Sequence, residues 1–243
     1  MTAAALLAFD TATEHLSIAL AVRGQVLTHE AAGGAQASAA LVPAILALLA
    51  RAGAALGDLD AIAFGRGPGA FTGLRTACSV AQGLAYGAGK PVLPIDTLLA
   101  VAEDARAGRT GALDVWVAMD ARMDEVYAAH YAYAAGHWSV LEAPLLTGLD
   151  ALNARWRAHP PQLVAGSALT AFGARLATSA AERVPGALPR AAALLPLAQA
   201  LWAQGGAVDA AAALPVYLRD KVALTTLERA AVRAAKDALE RSA

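Results

Sequence analysis

Short apolar runs alternate with polar turns over the first 30 residues, a pattern typical of a β-meander. The first run ends at Asp10, and residues 11–14 separate it from a second strand predicted over 16–22. A turn at residues 23–25 leads into a third strand, predicted over 26–30. Because turns this short connect antiparallel neighbours, we expect the chain to open with three antiparallel strands.

Alternating helices and strands follow the meander. Apolar residues recur at helical spacing over about 38–52, which predicts a helix with Ser38 as its N-cap. This order predicts an α/β domain with a mixed sheet, not a purely parallel one. The next predicted elements are a strand over 60–64, a glycine-rich loop over 65–70, a helix over 71–87, a strand over 91–95 and a helix over 97–106.

The second half repeats this plan after a polar, glycine-bearing boundary at residues 106–111. We therefore expect a first lobe over 1–106 and a second over 107–221, with a helix near 191–204 packing back on the first. A charged amphipathic helix over 225–242 makes up most of a third region, 222–243. The second lobe is predicted to hold strands over 112–119, 125–133 and 138–146, a helix over 149–158, a strand over 162–165 and a helix over 169–177.

The composition argues against an isolated nucleic-acid binder and against a membrane-embedded chain. Hydrophobic residues make up 58% of the chain, but alanine accounts for 68 of the 243 residues, and no stretch of about 18 residues is uninterrupted and strongly apolar. The net charge of −1 lacks the basic footprint of a tRNA-binding domain. One cysteine excludes an internal disulfide, and the start shows no signal-peptide pattern, so a cytoplasmic protein is expected.

The densest chemical signal is the segment 65–75, which reads GRGPGAFTGLR between a predicted strand and a predicted helix. The N–H groups of such a loop and the positive end of the helix dipole suit an anion. The glycines also match G-x-G-x-x-A, with Asp96 in the place of a ribose-binding acid, whereas the lysine of a P-loop is absent. Three interpretations stay open: close packing of helix on strand, contact with a phosphate or nucleotide, and a partner surface.

A second candidate is the polar turn after the first strand, which carries Asp10, Thr11 and Thr13. A carboxylate here could hold a hydrated Mg²⁺, and the hydroxyls could reach phosphate. The alternative is a hydrogen-bonded Asx turn that closes the hairpin.

A third candidate is the turn between the first two strands of the second half, with Asp120, Arg122 and Glu125. An Asp and an Arg two residues apart favour a local ion pair that fixes the turn. The functional alternative is a polar cleft edge that faces the first lobe.

Catalytic and metal-binding motifs are lacking in the sequence. The five histidines have no metal-ligand spacing, and no Gly-x-Ser-x-Gly turn occurs. Cys78 has no histidine near it in sequence, so a buried, inert thiol is expected. We expect no catalytic residue and no metal site in this chain.

Four motifs, in this order, resemble the TsaB (YeaZ) family. They are LAFDTATE at 7–14 with SIAL at 17–20, GRGPGAFTGLR at 65–75 with AQGLA at 81–85, DARMDEVY at 120–127, and PVYLR at 215–219. The resemblance spans residues 1 to about 222. It implies an actin-like ATPase (ASKHA, ribonuclease H-like) fold of two similar lobes, each a mixed β-sheet flanked by helices. It also implies a role in forming threonylcarbamoyladenosine (t6A) in tRNA.

The resemblance further implies a non-catalytic subunit. The catalytic paralogue of that system, the TsaD-type transferase, binds metal through a His-x-x-x-His pair on its first long helix, and this chain has no histidine there. Relatives often keep one histidine ahead of that helix, where this chain has Ala37. The implied partners are the transferase and its TsaE-type ATPase companion, with tRNA contacted only indirectly and no membrane.

The expected docking surface consists of the alanine and leucine faces of the helices after Ser38 and after Phe71. The same surface is expected to form a homodimer when the partner is missing. No tightly bound cofactor is expected, although ATP or ADP could sit at the partner interface. The candidate contacts for partner or nucleotide are Asp10, Thr11, Thr13, Arg66, Gly67, Pro68, Gly69, Phe71, Thr72, Gly73, Arg75, Asp120, Arg122 and Glu125.

Two other classes remain as alternatives. An ATP-dependent enzyme of the actin-like fold would turn over ATP as an isolated chain. A Rossmann dehydrogenase would bind NAD(P).

Overall fold

The first sheet of the computed structural model, which describes residues 3–178 and 180–219, has five strands in the order β3-β2-β1-β4-β5. Its central strand pairs antiparallel with β2 and parallel with β4. The carboxyl ends of β1, β4 and β5 therefore meet at one edge. The strands are β1 (Leu6–Asp10), β2 (His15–Val22), β3 (Gln25–Ala32), β4 (Ala61–Gly67) and β5 (Val92–Asp96).

Helices cover both faces of this sheet, so β1 is buried along its whole length. Leu7 and Phe9 point to the face covered by α1 (Ala37–Arg51) and α2 (Phe71–Ala88). The smaller Ala8 faces α6 (Ala191–Ala203), and α3 (Thr97–Arg106) packs beside α6. Alanines at these contacts let the helices approach the sheet closely.

The second sheet has the same strand order, β8-β7-β6-β9-β10, when β6 is placed on β1. Its central strand again pairs antiparallel with the next strand and parallel with the one after the helical crossover. Two mixed sheets of this order, flanked by helices, form the actin-like, ribonuclease H-like fold that was expected. The elements are β6 (Leu113–Asp120), β7 (Glu125–Ala134), β8 (His137–Gly148), α4 (Leu149–Ala158), β9 (Leu163–Ala165), α5 (Ala168–Phe172) and β10 (Glu182–Val184).

Four local predictions were wrong or incomplete. β4 continues to Gly67, so half of the predicted 65–70 loop is strand. Ser38 lies inside α1, whose N-cap is Gln36 without a side-chain bond. The helix predicted over 169–177 stops early because Gly173 leaves helical geometry (φ +52°), and β10 was not foreseen because three residues carry no readable period.

The predicted tail helix 225–242, and with it region 222–243, lies outside the described residues. Among the helices of the described part, none combines the length and the apolar character needed to cross a bilayer.

Candidate functional site

A cavity of about 500 Å³ lies between the two lobes. Its first-lobe wall is the turn after β1 together with the start of α2, and its second-lobe wall is the β6–β7 turn with the start of α5. Residues 216–219 form a third wall. The volume suits a small molecule, and the lining mixes apolar side chains with a few polar groups.

Asp10 lies beneath this cavity and does not line it, being 1% exposed. Its Oδ1 accepts from the Ala12 N–H at 2.7 Å, and its Oδ2 accepts from Thr97 Oγ1 at 3.1 Å. The first bond is the Asx turn that the sequence offered as one alternative. Burial raises the pKa of Asp10 to about 7, against the lowering effect of these two hydrogen bonds.

The start of α2 packs directly on the turn after β1. A Cβ on Gly73 would lie 1.9 Å from the carbonyl oxygen of Thr11, and Thr11 Oγ1 donates to the Gly73 carbonyl at 2.8 Å. A Cβ on Gly69 would lie 2.6 Å from the carbonyl oxygen of Ala12, and the Ala70 N–H donates to this same carbonyl at 2.8 Å. Close packing, the first of the three interpretations, therefore accounts for these glycines.

The other end of the glycine-rich segment is tied to β5 and to the end of the described chain. Arg66 Nε lies 2.6 Å from Asp96 Oδ1. Asp96 is therefore paired within the chain, and the mixed sheet order also excludes the Rossmann alternative. Gly67 has φ +113°, and a Cβ there would lie 2.6 Å from the Val216 carbonyl oxygen. Pro68 follows it in a cis peptide.

Three predicted residues lie on the first turns of α2. Phe71 lines the cavity, and the Arg75 guanidinium stacks on its ring at 3.8 Å. Arg75 Nε also donates to the Tyr217 hydroxyl at 3.2 Å. Thr72 is exposed on the outer face of the helix.

The β6–β7 turn forms the second-lobe rim of the cavity. Asp120 Oδ1 accepts from the Arg122 N–H at 2.8 Å, and Arg122 reaches across the cleft to Glu14 at 3.1 Å. Arg122, Met123 and Asp124 all have positive φ, between 57° and 64°, a geometry that side-chain-bearing residues rarely adopt. The turn is therefore fixed by the local contact between Asp120 and Arg122, and it also forms an edge of the cleft.

The structure brings together only part of the predicted set. Thr13, Gly69, Phe71, Asp120 and Arg122 line the cavity. The remaining ones lie beneath it, behind it or on the outer face of α2, and Glu125 pairs with Arg219 at 2.5 Å beside the rim. No role was predicted for Glu14, Tyr217 or Arg219, although Glu14 belongs to the LAFDTATE motif and the other two to the PVYLR motif.

Cys78 is buried, as predicted. Its Sγ donates to the Ala213 carbonyl at 3.3 Å, and burial raises the pKa of the thiol. Among the described residues, no three His, Cys, Asp or Glu side chains cluster in a way that could hold a metal ion.

The outer face of α2 carries small residues at helical spacing, beside a largely apolar outer face of α1. Gly83 and Gly87 are exposed there, and a Cβ on either would have no atom within 4 Å. Tyr86 on the same face is 86% exposed, and Leu46 on α1 is 50% exposed.

Comparison with known proteins gives consistent matches. The model of the family described as TsaD, tRNA N6-adenosine threonylcarbamoyltransferase, matches residues 21–152, more than half of the chain. The tRNA threonylcarbamoyladenosine biosynthesis protein TsaB of Escherichia coli (strain K12) is 36% identical over 233 residues, which cover 90% of this chain and 96% of that protein. TsaB of Haemophilus influenzae is 46% identical over 122 residues, covering 50% of this chain and 51% of that protein.

A solved structure agrees over nearly the same span. YeaZ from Pseudomonas aeruginosa is 40% identical and superposes with a TM-score of 0.80. The match covers 88% of this chain and 100% of that one.

Proposed function

We propose a function from one premise: this chain belongs to the TsaB (YeaZ) family of tRNA threonylcarbamoyladenosine biosynthesis proteins. The chain takes part in t6A formation as a non-catalytic subunit that binds and supports the TsaD-type transferase. Support comes from the start of α2, from Asp10 and from the outer face of α2.

The first-lobe elements suited to nucleotide chemistry are engaged within the chain. The Ala70 N–H, at the anion-binding end of α2, donates to Ala12, and Gly73 packs against Thr11. Asp10 is buried and closes an Asx turn. A phosphate bound to the Ala70 N–H would have to displace the Ala12 carbonyl, and a hydrated metal ion on Asp10 would have to open the Asx turn, so these two groups serve the fold.

The observation that carries the docking role is the pair of exposed glycines on α2. Glycine in a helix interior costs about 1 kcal/mol relative to alanine. Gly73 has a packing reason for being glycine, but Gly83 and Gly87 have open space where a Cβ would stand. A partner helix that approaches this face closely would supply the missing reason.

The face also has the other properties of an interface. The exposed Tyr86 and Arg75 are residue types enriched at binding hot spots, and the small residues around them allow close approach. A stable contact would bury about 1,200–2,000 Å² in total. The transferase is the proposed occupant, and a second copy of this chain takes its place when the transferase is absent.

In this proposal the TsaE-type ATPase and its ATP or ADP bind at the edge of this contact, near the Arg75 end of α2. The net charge of −1 lacks the basic bias of a tRNA-binding domain, so in this proposal tRNA is held through the partner. The cavity between the lobes supports one alternative function, that of an ATP-binding enzyme. ATP turnover by the isolated chain would support that alternative.

Reconstitution tests the proposal. Purified chain is added to or withheld from tRNA, ATP, threonine, bicarbonate, the adenylate-forming enzyme, the transferase and its ATPase companion, and t6A is measured by mass spectrometry. Modification should require the chain, and Gly83→Leu should reduce it. Gly186→Leu, at an exposed glycine of the second lobe with equally open space, is the matched control. Full modification without the chain would refute the proposal.

A further inference from the structure

Residues 214–219, here called the strap, run along the cavity from the first lobe to the second. The strap follows a 3₁₀ turn, Ala210–Ala212, that packs on α2. Four of its six residues line the cavity. It is therefore in contact with both lobes and with the space between them.

The first-lobe half of the strap is held by backbone and ring contacts. Just ahead of it, the Ala213 carbonyl accepts from Cys78 Sγ and from Gln82 Nε2, the latter at 2.9 Å. The Val216 N–H donates to the Arg66 carbonyl at 2.7 Å. The Tyr217 ring lies 5.3 Å from that of Phe71, on the first turn of α2.

The second-lobe half is held by a mostly buried arginine. Leu218 packs against the second-lobe core. Arg219 is 17% exposed, donates to the Ala121 carbonyl at 3.0 Å and pairs with Glu125 at 2.5 Å. Both contacts lie at the ends of the β6–β7 turn, whose three left-handed residues need outside support. Charge-assisted bonds in a shielded place are strong.

The Glu14–Arg122 pair, which also bridges the cleft, is much weaker. Its side chains are 74% and 72% exposed, so solvent and salt screen the attraction. Of these two bridges, the strap is the better shielded: Arg219 is 17% exposed at its second-lobe end, and Tyr217 at its first-lobe end is 42% exposed, against 74% and 72% for the members of the Glu14–Arg122 pair.

We propose that the strap is an interlobe clamp in which Tyr217 and Arg219 are positioning residues. It fixes the first turn of α2 relative to the β6–β7 turn, and so holds the outer face of α2 in the orientation that the partner binds. The second part rests on the proposed function, since it takes the transferase as the partner.

The test uses the full chain with Arg219→Ala, Arg219→Lys and an exposed control on α4, Arg157→Ala. Amide hydrogen exchange is followed in residues 119–126 and 66–74, and transferase affinity is measured by titration calorimetry. Arg219→Ala should raise exchange in both segments and weaken binding about tenfold. Arg219→Lys should recover part of the protection from exchange and part of the affinity. It keeps the charge that pairs with Glu125 but lacks the planar guanidinium that also reaches the Ala121 carbonyl. Arg157→Ala should match the parent.

Faster exchange confined to 119–126 would overturn the clamp, because it would show a local contact without transmission to α2. Faster exchange in both segments with unchanged affinity would overturn the link to partner binding. If the parent chain itself fails to bind the transferase, the proposed function fails. The clamp is then decided by exchange in 66–74 alone: a rise supports it and no change refutes it.

Discussion

The same substitution at two positions of α2 should have opposite effects on stability. Gly73→Ala and Gly83→Ala both add one methyl group to α2, the first in its first turn and the second in its interior. At Gly73 the methyl meets the backbone of the turn after β1, whereas at Gly83 it meets open space. The pair therefore separates the glycine that the fold needs from the glycine that we assign to a partner.

The magnitudes follow from the contacts. A Cβ on Gly73 would lie 1.9 Å from the Thr11 oxygen, about 1.5 Å inside an ordinary contact. Moving α2 away from the turn after β1 breaks two hydrogen bonds between them, Thr11 to Gly73 and Ala70 to Ala12. They are worth about 1 kcal/mol each, and overpacking strain adds about 1–3 kcal/mol. Alanine's helix preference returns about 1 kcal/mol. The net loss is about 2–4 kcal/mol, a fall in Tm of roughly 4–16 °C.

At Gly83 only the helix preference remains. The gain of about 1 kcal/mol corresponds to a rise in Tm of about 2–4 °C. Thermal unfolding followed by circular dichroism measures both variants against the parent chain, at low protein concentration so that self-association does not contribute. Two shifts of the same sign would refute the reasoning. A stabilised Gly83→Ala that also bound the transferase as well as the parent does would remove this glycine from the interface.

Other predictions concern pH, the thiol and the two arginines. Burial raises the pKa of Asp10 from 3.8 to about 7 in the folded chain, so between these two pH values the folded chain holds a proton that the unfolded chain has released. The free energy of unfolding should therefore fall as pH rises from about 4 to about 7, and Asp10→Asn should flatten the matching fall in Tm. Cys78 should resist a thiol reagent at pH 8 until denaturant is added; rapid native labelling would contradict its burial. Arg75→Glu should weaken transferase binding about tenfold and lower Tm only slightly, because the contacts it loses to Phe71 and Tyr217 are solvent-exposed. Arg66→Glu should lower Tm, because it breaks the pair with Asp96; calorimetry and thermal unfolding distinguish the two.

Much of the fold was readable because its signals are long and periodic. The β-β-β-α-β-α-β-α order of the first half and its repeat in the second follow from turn residues and helical spacing. Elements of three to five residues, such as β10 and α5, carry too little pattern to be read. Their limits are set by contacts with distant neighbours, such as the pairing of Glu182 with Leu163.

The candidate site was predicted in composition but not in arrangement. The motifs pointed to the right turns, yet spacing could not show that Gly73 packs on Thr11 or that Arg66 is paired with Asp96. Those are contacts between residues 62 and 30 positions apart. Arg219 was overlooked for the same reason, because its partners lie almost a hundred residues earlier.

The packing of α6 on β1 has a consequence for how the protein is made. Gln199 exchanges two hydrogen bonds with Ala4, so α6, about 195 residues later in the chain, closes the same core as the start of the described chain. A ribosome adding about 5–20 residues per second needs roughly 5–20 s to pass from the end of α3 to the end of α6. During that interval the face of β1 that carries Leu6 and Ala8 has left the exit tunnel without its cover. The lobe that is translated first is therefore the lobe that is completed last.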